Sequence, residues 1–576
     1  MNILLYSFYP IVILLIFTYF LGVNKHTRNI FVQNNRFLIL STVLIFFLGN
    51  ILLFLYFRNE RFIYYWDYAT FWEQSLKLNL LIIENSSKAF VYLINSMNYQ
   101  EYTALPALFI SLPTTIIGQS FFAFVLSSFN FFVIPFYLIL TLFELALIKK
   151  LEIEIPSNWL LTLLNFMFVP FYFTLFHGYI GIVGQVFIVS LFLLVLANDK
   201  IDLIEIIMIN GLTFLLIFTR RWYLFWVVSF YVGYAFYKLI IKNRTMHQHL
   251  LSFLSLILSG LFMLILILLF FFPYFRNLFV SNLATLYASY KLPSLLDEFF
   301  RFKYFFGLFI VLIALYGVYL TILKKDRFTL FLLFVTSFTT FLFMTVQSFE
   351  FHHYNLMNFG IFIFFFIGLI QLFHLKKSIR IMLVVLYCVN AIYVFTPKND
   401  LANVLFTSIV LKPKFRSDIT EIQDLSNYVN NLTSENKYAY CAASSPFIND
   451  DLLRNAQLPW ILNSVPNLEG SSNNDVRDGF PLSLFDVNYV LVTDPVQIHT
   501  SYIDKQYINQ LINDSLLNKD IIRDNYQLVY ENRISDVDIY IFERIENYND
   551  VEKLYFYDKL KVMYPDKPHI YESIIN

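Results

Sequence analysis

Charge is what this chain has least of. Asp, Glu, Lys and Arg make up 14% of its 576 residues, against roughly 25% in a soluble globular chain. Water is therefore not the solvent for most of it. Acidic and basic residues balance at 41 each, so no net field draws a polyanion, and nucleic acid is not an expected partner. Cysteine is almost missing: Cys388 lies in an apolar segment and Cys441 in a polar tail, which argues against a disulfide framework and a Cys-ligated metal. Glycine stands at only 15, and no Gly-rich phosphate loop is found. No short-period repeat is present. What is abundant is apolar: 58% of residues are hydrophobic, with 68 Phe and 40 Tyr. Part of that aromatic excess reflects gene base composition, so no aromatic cage is inferred from it.

Apolar runs long enough to cross a bilayer, about 17–25 residues, recur over the first 400 positions. They fall near 2–22, 37–57, 121–147, 158–176, 180–197, 202–219, 222–241, 249–272, 305–323, 328–346, 359–375 and 380–396. The first lacks the basic start and small-residue cleavage site of a signal peptide and is kept as a helix. The short basic loops hold Lys25, Arg28 and Arg36; Lys149 and Lys150; Lys200; Lys242 and Arg244; Lys324, Lys325 and Arg327; and Lys376, Lys377 and Arg380. Each is an even number of runs from the next, so all can face the cytoplasm together, as the positive-inside rule asks. Loops 58–120, 177–179, 273–304 and 347–358, the Arg220–Arg221 turn and the tail after 397 then face outward.

Two stretches read differently. Residues 70–97 set Glu73, Lys77, Asn79, Glu84 and Lys88 against Phe71, Leu76, Leu80, Ile83 and Phe90. Glu73 and Lys77 have helical i,i+4 spacing, and the pattern fits an amphipathic helix on the membrane surface. Residues 103–118 are apolar but short and broken by Pro106 and Pro113. Counted as a span they would put Lys149 and Lys150 outside, so a re-entrant or interfacial helix is expected.

The tail is rich in Asp, Asn and Ser. Strand-like runs Lys437–Cys441 and Asn488–Thr493 alternate with helix-like runs 418–432 and 502–518, and Tyr526–Tyr530 with Asp538–Phe542 reads as a hairpin. The expected division is a transmembrane domain over 1–396 and a soluble α/β domain over 397–576.

Ionisable groups at membrane depth are costly and point to function. Here they gather on the outward side. Asp67 lies in Arg61-Phe-Ile-Tyr-Tyr-Trp-Asp67-Tyr-Ala-Thr-Phe-Trp72-Glu73, directly after a long apolar run. A carboxylate among aromatics at a lipid–water boundary is a candidate general base. Arg220 and Arg221 interrupt an apolar stretch at an outer turn, and Glu350, His352 and His353 lie in Gln347-Ser-Phe-Glu-Phe-His-His-Tyr-Asn355. Arg221 beside Trp222 also suits a helix end anchored at the headgroups. Neighbouring histidines on a short loop match no zinc pattern. Glu73 beside Lys77 reads as a solvated helix face.

The Trp-Asp67-Tyr-x-x-Phe-Trp run in the first large outer loop, surface helices, a Pro-containing 106–118 segment, later outward Arg and His, and an outer C-terminal domain resemble the GT-C superfamily. These are membrane glycosyltransferases using polyprenyl-phosphate sugars, related to protein mannosyltransferases and the lipid A aminoarabinose transferase. The resemblance implies an α-helical polytopic membrane fold of about 12–13 transmembrane helices with an extracytoplasmic α/β domain. It implies Asp67 as catalytic base, a polyprenyl-phosphate-linked sugar donor, and a membrane setting. The family often shows a second acid next to the first; here position 68 is Tyr, and Glu73 or Glu350 are the candidates to replace it. That departure leaves metal dependence open, and no cofactor is assigned.

The chemistry agrees with the residues. Arg220 and Arg221, with His352 and His353, suit a donor phosphate, since a guanidinium fork bonds two oxygens at once. A hydroxyl acceptor is a weak nucleophile and needs a carboxylate to take its proton; direct displacement inverts the anomeric centre. The base composition suggests an AT-rich bacterial gene, hence a plasma-membrane enzyme with an envelope glycan, teichoic acid or glycolipid as acceptor. Two rivals stand: a polysaccharide polymerase or ligase of another membrane fold, and a transporter, although no paired repeat with broken midplane helices is evident.

Overall fold

The computed structural model describes residues 2–198, 203–240, 246–280, 287–471, 473–500, 505–518 and 521–575. Lys200, Lys242 and Arg244 of the basic loops lie outside the described residues. The chain is mostly helical, with one small sheet near its C-terminus. It divides into two compact units: Met1–Asn59, Thr70–Ala284 and Tyr290–Pro413 form the first, and Glu60–Ala69, Thr285–Ser289 and Lys414–Asn576 the second.

In the first unit, four helical stretches among the described residues are long and apolar enough to cross a membrane: Asn2–Val23, Lys25–Phe57, Phe121–Leu151 and Arg327–Val346. Shorter apolar helices include Leu105–Ile117, Ile182–Ala197, Leu203–Thr219 and Asn358–Leu372. Several apolar helices thus have the length and composition of membrane spans. Two expected runs differ. The run 158–176 is a helix only over Trp159–Met167, followed by 3₁₀ turns Val169–Phe171 and Phe173–His177. Pro170 has no N–H to continue the ladder, and Phe168 and Phe171 instead pack on Phe362, each with ring centres 5.0 Å apart. The run 305–323 is a helix from Leu308 to Lys324, bent by 106° from the preceding helix Leu295–Phe306. Gly307 makes the bend at φ +81°, where a Cβ would meet the Thr407 backbone nitrogen at 2.5 Å, so only glycine fits.

The amphipathic stretch is two helices, Asp67–Glu84 and Ser86–Tyr99, parted by Asn85, whose side chain accepts from Ser87 and Lys88 N–H and caps the second. The first helix buries Phe71, Leu76, Leu78 and Ile82 and exposes Lys77 and Glu84, with a few positions reversed. Asn79 is buried and donates to Thr114 Oγ1 at 3.0 Å, and Gln74 donates to Tyr102 O at 2.7 Å, while Leu80 and Ile83 are exposed. Leu105–Ile117 accommodates Pro106 in its first turn. At 13 residues it is too short to span, and Phe109 stacks on Tyr9 with centres 4.7 Å apart.

The polar composition starts at 397, but residues through Pro413 belong to the first unit. Thr407 Oγ1 donates to Phe305 O at 2.6 Å, and Leu411 N–H to Val394 O at 2.8 Å.

The second unit is an α/β layer structure. Strands β1 (Ala439–Cys441), β2 (Leu468–Glu469), β3 (Tyr489–Asp494), β4 (Tyr526–Ile534) and β5 (Val537–Arg544) lie in the order β2-β1-β3-β5-β4. β1 is parallel to β2 and β3; β5 is antiparallel to β3 and β4. Alternation along β3 sends Tyr489 and Leu491 to one face with Ile422 and Leu425 of helix Ile419–Leu432. Val490 and Val492 go to the other, with Ile508 and Ile512 of helix Tyr507–Leu517. The expected hairpin closes through Ser535, at φ +51°. Cys441 is fully buried on β1, so it offers no thiol to an external reagent. Both cysteines are free thiols.

Segment Glu60–Ala69 is part of this unit although Lys414, where the unit's main segment begins, is more than 340 residues further along the chain. Arg61 N–H donates to Lys414 O at 2.9 Å and Arg416 N–H to Arg61 O at 2.8 Å. Ile63 and Tyr65, two apart and so on one side of an extended chain, enter the core beside Leu425.

Candidate functional site

Arg220 and Arg221 occupy the turn between helices Leu203–Thr219 and Tyr223–Ile240. Arg220 is only 5% exposed. Its Nη2 donates to Tyr102 Oη at 3.2 Å, and its guanidinium carbon lies 5.2 Å from the Tyr102 ring centre and 5.9 Å from that of Tyr179. Both contacts are cation–π in range. Arg221 turns to an ion pair with Glu101 and lies 4.9 Å from the Trp222 ring centre.

The facing wall is the 3₁₀ turn Phe351–Leu356. His352 stacks on Tyr179 with ring centres 4.7 Å apart and planes at 19°, and the His353 ring is 4.0 Å from that of His352. Burial, then the Arg220 charge, holds His352 well below the usual imidazole pKa. His353 is lowered likewise, by burial first and then by His352 and Arg220. Both rings are therefore neutral near pH 7. His353 Nδ1 accepts the Glu350 backbone N–H at 3.1 Å, which leaves its own proton on Nε2.

Arg220, Trp222, Tyr223, His352, His353 and Asn355 line one small pocket whose free volume is about 10 Å³, the room of a single water. Gly181 makes its closeness feasible, since a Cβ there would meet Asn355 Nδ2 at 2.3 Å. Tyr223 Oη donates to Gly181 O at 2.8 Å, and Gln185 donates to Asn355 O. The pocket thus presents one fixed cation and two neutral imidazoles on a hydrogen-bonded floor.

Of the residues expected in a site, this unit brings together Arg220, His352 and His353. Glu350 pairs instead with Arg301, Oε1 to Nη1 at 2.6 Å; burial raises its carboxyl and Arg301 opposes the rise. Glu73 is half-buried on helix Asp67–Glu84, where its charge reaches Tyr92. Lys77 lies 4.7 Å from the Tyr92 ring centre. Sequence reasoning missed Glu101, Tyr102, Tyr179 and Arg301. Among 40 tyrosines, nothing local marked the two that hold Arg220.

Asp67 belongs to the second unit and is the first residue of helix Asp67–Glu84, where a carboxylate charge is favoured by the helix dipole. The residue before it is strained: Trp66 has φ +49°, a left-handed conformation that bulky side chains avoid. Trp66 N–H donates to Asp451 Oδ2 at 3.2 Å, and its ring packs on His499 with centres 5.0 Å apart. Those contacts fix the direction in which the backbone delivers Asp67.

Among the described residues no three His, Cys, Asp or Glu side chains come close enough together to hold a metal ion. No family model matches the chain, and no curated protein matches it.

Proposed function

We propose that this chain is an integral-membrane glycosyltransferase that moves a sugar from a polyprenyl-phosphate donor to an extracytoplasmic glycan, teichoic acid or glycolipid. The reading includes about 12–13 spans in a bacterial plasma membrane, with the C-terminal unit outside. The observation that carries it is the Arg220 pocket. A guanidinium keeps its charge at every working pH and bonds phosphate oxygens as a fork. His352 and His353, being neutral, add N–H donors without repelling it. A phosphoryl group is larger than the free space there, so it engages once the His352–Tyr179 stack yields.

Asp67 is the proposed base. It takes the acceptor hydroxyl proton as that oxygen bonds to the anomeric carbon; the carbon–oxygen bond to phosphate breaks, and the lipid phosphate leaves with the electron pair. Attack opposite the leaving group inverts the anomeric centre. With no group of ligands for an ion in the described residues, no step is routed through a metal.

The test is Asp67→Asn, which keeps shape and loses the proton-accepting charge. Transfer is expected to fall by about 10²–10⁴-fold with insertion and donor binding unchanged. Near-normal turnover in that variant removes the base and leaves the polymerase and transporter readings.

A further inference from the structure

In the second unit, one loop sets apolar side chains where folding has no use for them. Residues Asn455–Leu468, Asn-Ala-Gln-Leu-Pro-Trp-Ile-Leu-Asn-Ser-Val-Pro-Asn-Leu, include no Asp, Glu, Lys or Arg, although Arg454 and Glu469 flank them. The two ends of the loop belong to the core, with Ala456, Val465 and Leu468 buried. Its middle does not. Trp460 is 85% exposed, Ile461 is 53% exposed and Leu462 is half-buried. Trp72, Trp222 and Trp226 are all buried by comparison. A single large apolar side chain at a surface is ordinary. Two adjacent ones at the tip of a charge-free loop form a patch that water disfavours.

The tip is held in place by its own backbone. Ser464 N–H donates to Arg454 O at 2.8 Å and closes the loop at its base, and Ser464 Oγ donates to the same oxygen at 2.7 Å. Leu458 N–H donates to Asn455 O at 3.1 Å. Trp460 N–H and Ile461 N–H both donate to Gln457 O, at 2.9 and 3.2 Å. Gln457 Nε2 donates to Asn427 Oδ1 on helix Ile419–Leu432 at 3.3 Å. A tip ordered before it is covered loses little conformational entropy when a partner covers it.

The tether of the unit indicates what that partner is. Helix Asp450–Arg454 and the residue after it hold the segment Glu60–Ala69: Trp66 N–H donates to Asp451 Oδ2 at 3.2 Å, and Asn455 Nδ2 donates to Tyr64 O at 3.2 Å. Tyr64 is seven residues beyond Phe57, where the span-length helix Lys25–Phe57 ends, and Trp460 is five residues beyond Asn455. Five residues reach at most about 18 Å. Within the second unit the tip is therefore close to the segment that continues from an apolar helix. Tryptophan favours the headgroup boundary, where its ring meets hydrocarbon and its N–H stays wet. A loop with no charge enters that boundary without taking an ion out of water.

We propose that Trp460 and Ile461 anchor the second unit to a lipid surface, their side chains seated at the boundary of headgroups and acyl chains in the bilayer that takes the apolar helices. This rests on the membrane reading of the first unit and not on glycosyl transfer.

The test uses the full chain with Cys388→Ser in phosphatidylcholine nanodiscs; the remaining Cys441 is buried. A nitroxide is placed at Ile461→Cys with Trp460 kept. Reference nitroxides are placed at Phe47→Cys on helix Lys25–Phe57 and at Glu531→Cys on β4, both exposed positions. Power saturation reads collision with nickel–EDDA, which stays in water, and with oxygen, which concentrates in lipid. For a side chain sunk about 5–10 Å, nickel collision at the Ile461 label is expected about fivefold below that at the Glu531 label, with oxygen collision above it. Trp460→Asp should return the Ile461 label to the nickel collision of the Glu531 label; because Trp460 is exposed, that substitution costs the fold little. Equal nickel collision at the Ile461 and Glu531 labels, with the Phe47 label in lipid, overturns the anchor and spares the membrane reading. Nickel collision as high at the Phe47 label overturns both. An Ile461 label shut off from both reagents means that protein covers the tip, and this too overturns the anchor. So does a lipid-like Ile461 label that Trp460→Asp leaves unchanged.

Discussion

In the helix Lys25–Phe57, Phe47 and Phe54 are each 58% exposed while Ser41 is fully buried. In β3, Val490 and Val492 are fully buried and Asp494 is exposed. Both units bury apolar side chains, but the long helices of the first also leave many large ones exposed. In the second unit β3 is apolar over Tyr489–Val492 and buries both faces, one in each core, so its large apolar side chains all go in. In the first, Leu38, Ile45 and Leu53 are buried together with Ser41, while other large apolar residues are left outside, as at Leu80 and Ile83 near buried Asn79. Exposed apolar area on that scale marks a surface made for a membrane or a partner. The exposed apolar side chains lie on helices with the length and composition of membrane spans.

The strongest way to break that contrast is to disturb the wet core. Leu491→Ala, at 1% exposure, should cost the second unit about 2–5 kcal/mol, read as a fall in its own melting transition; no fall means the sheet is not its core. Phe47 gives the converse. In a water-facing helix Phe47→Lys would change stability by about 0.5 kcal/mol or less. Near the centre of a membrane span it should cost about 2.5–3.5 kcal/mol, seen as a lower inserted fraction in a translocation reporter. Insertion at the unaltered level places Lys25–Phe57 outside the bilayer.

Next in size is the cation. Arg220→Ala should weaken donor binding by about tenfold to a hundredfold, since a charge-assisted contact is worth about 1.5–3 kcal/mol. Arg220→Lys should recover only part, having charge without the fork. Arg221→Ala should do less, because Glu101 already engages that guanidinium. Equal losses at the two positions mean that the pocket geometry does not select between them.

The smallest effect concerns Glu60, whose carboxyl burial raises from 4.5 to about 7, with Lys414 opposing the rise. A carboxyl raised on folding stabilises while protonated. Its contribution is therefore present below about pH 4.5 and is lost as pH rises through 7, a change on the order of 1–3 kcal/mol. Glu60→Gln should flatten the stability of the second unit across that window; an unchanged slope means that Glu60 titrates normally.

Topology has its own probe. Buried Cys441 is unsuited to it, so a cysteine placed near the C-terminus serves. Labelling of intact cells by an impermeant reagent is expected, and labelling only after lysis reverses the orientation of the whole chain.

The sequence by itself determined that several helices would have the length and composition of membrane spans. Runs 37–57 and 328–346 both lie in long helices in the structure. It also determined four strands of the tail, because the apolar run at 488–493 and the hairpin at 526–542 are local patterns, but not β2, whose two residues carry no such signal. It set Arg220 and Arg221 in a turn, since charge interrupts an apolar run there. Tertiary structure alone decided the rest. Arg220 is held by Tyr102 and Tyr179, 118 and 41 residues away in sequence, and no spacing rule links them. Glu350 takes Arg301 and not a pocket cation, although it lies two residues from His352. Asp67, read as part of an outer loop of the membrane region, follows a segment that enters the core of the C-terminal unit through Ile63 and Tyr65. Local sequence carries periodicity and solvent preference, because those act between near neighbours. Which distant side chain meets which depends on how the faces pack, and that free energy is spread over the whole chain.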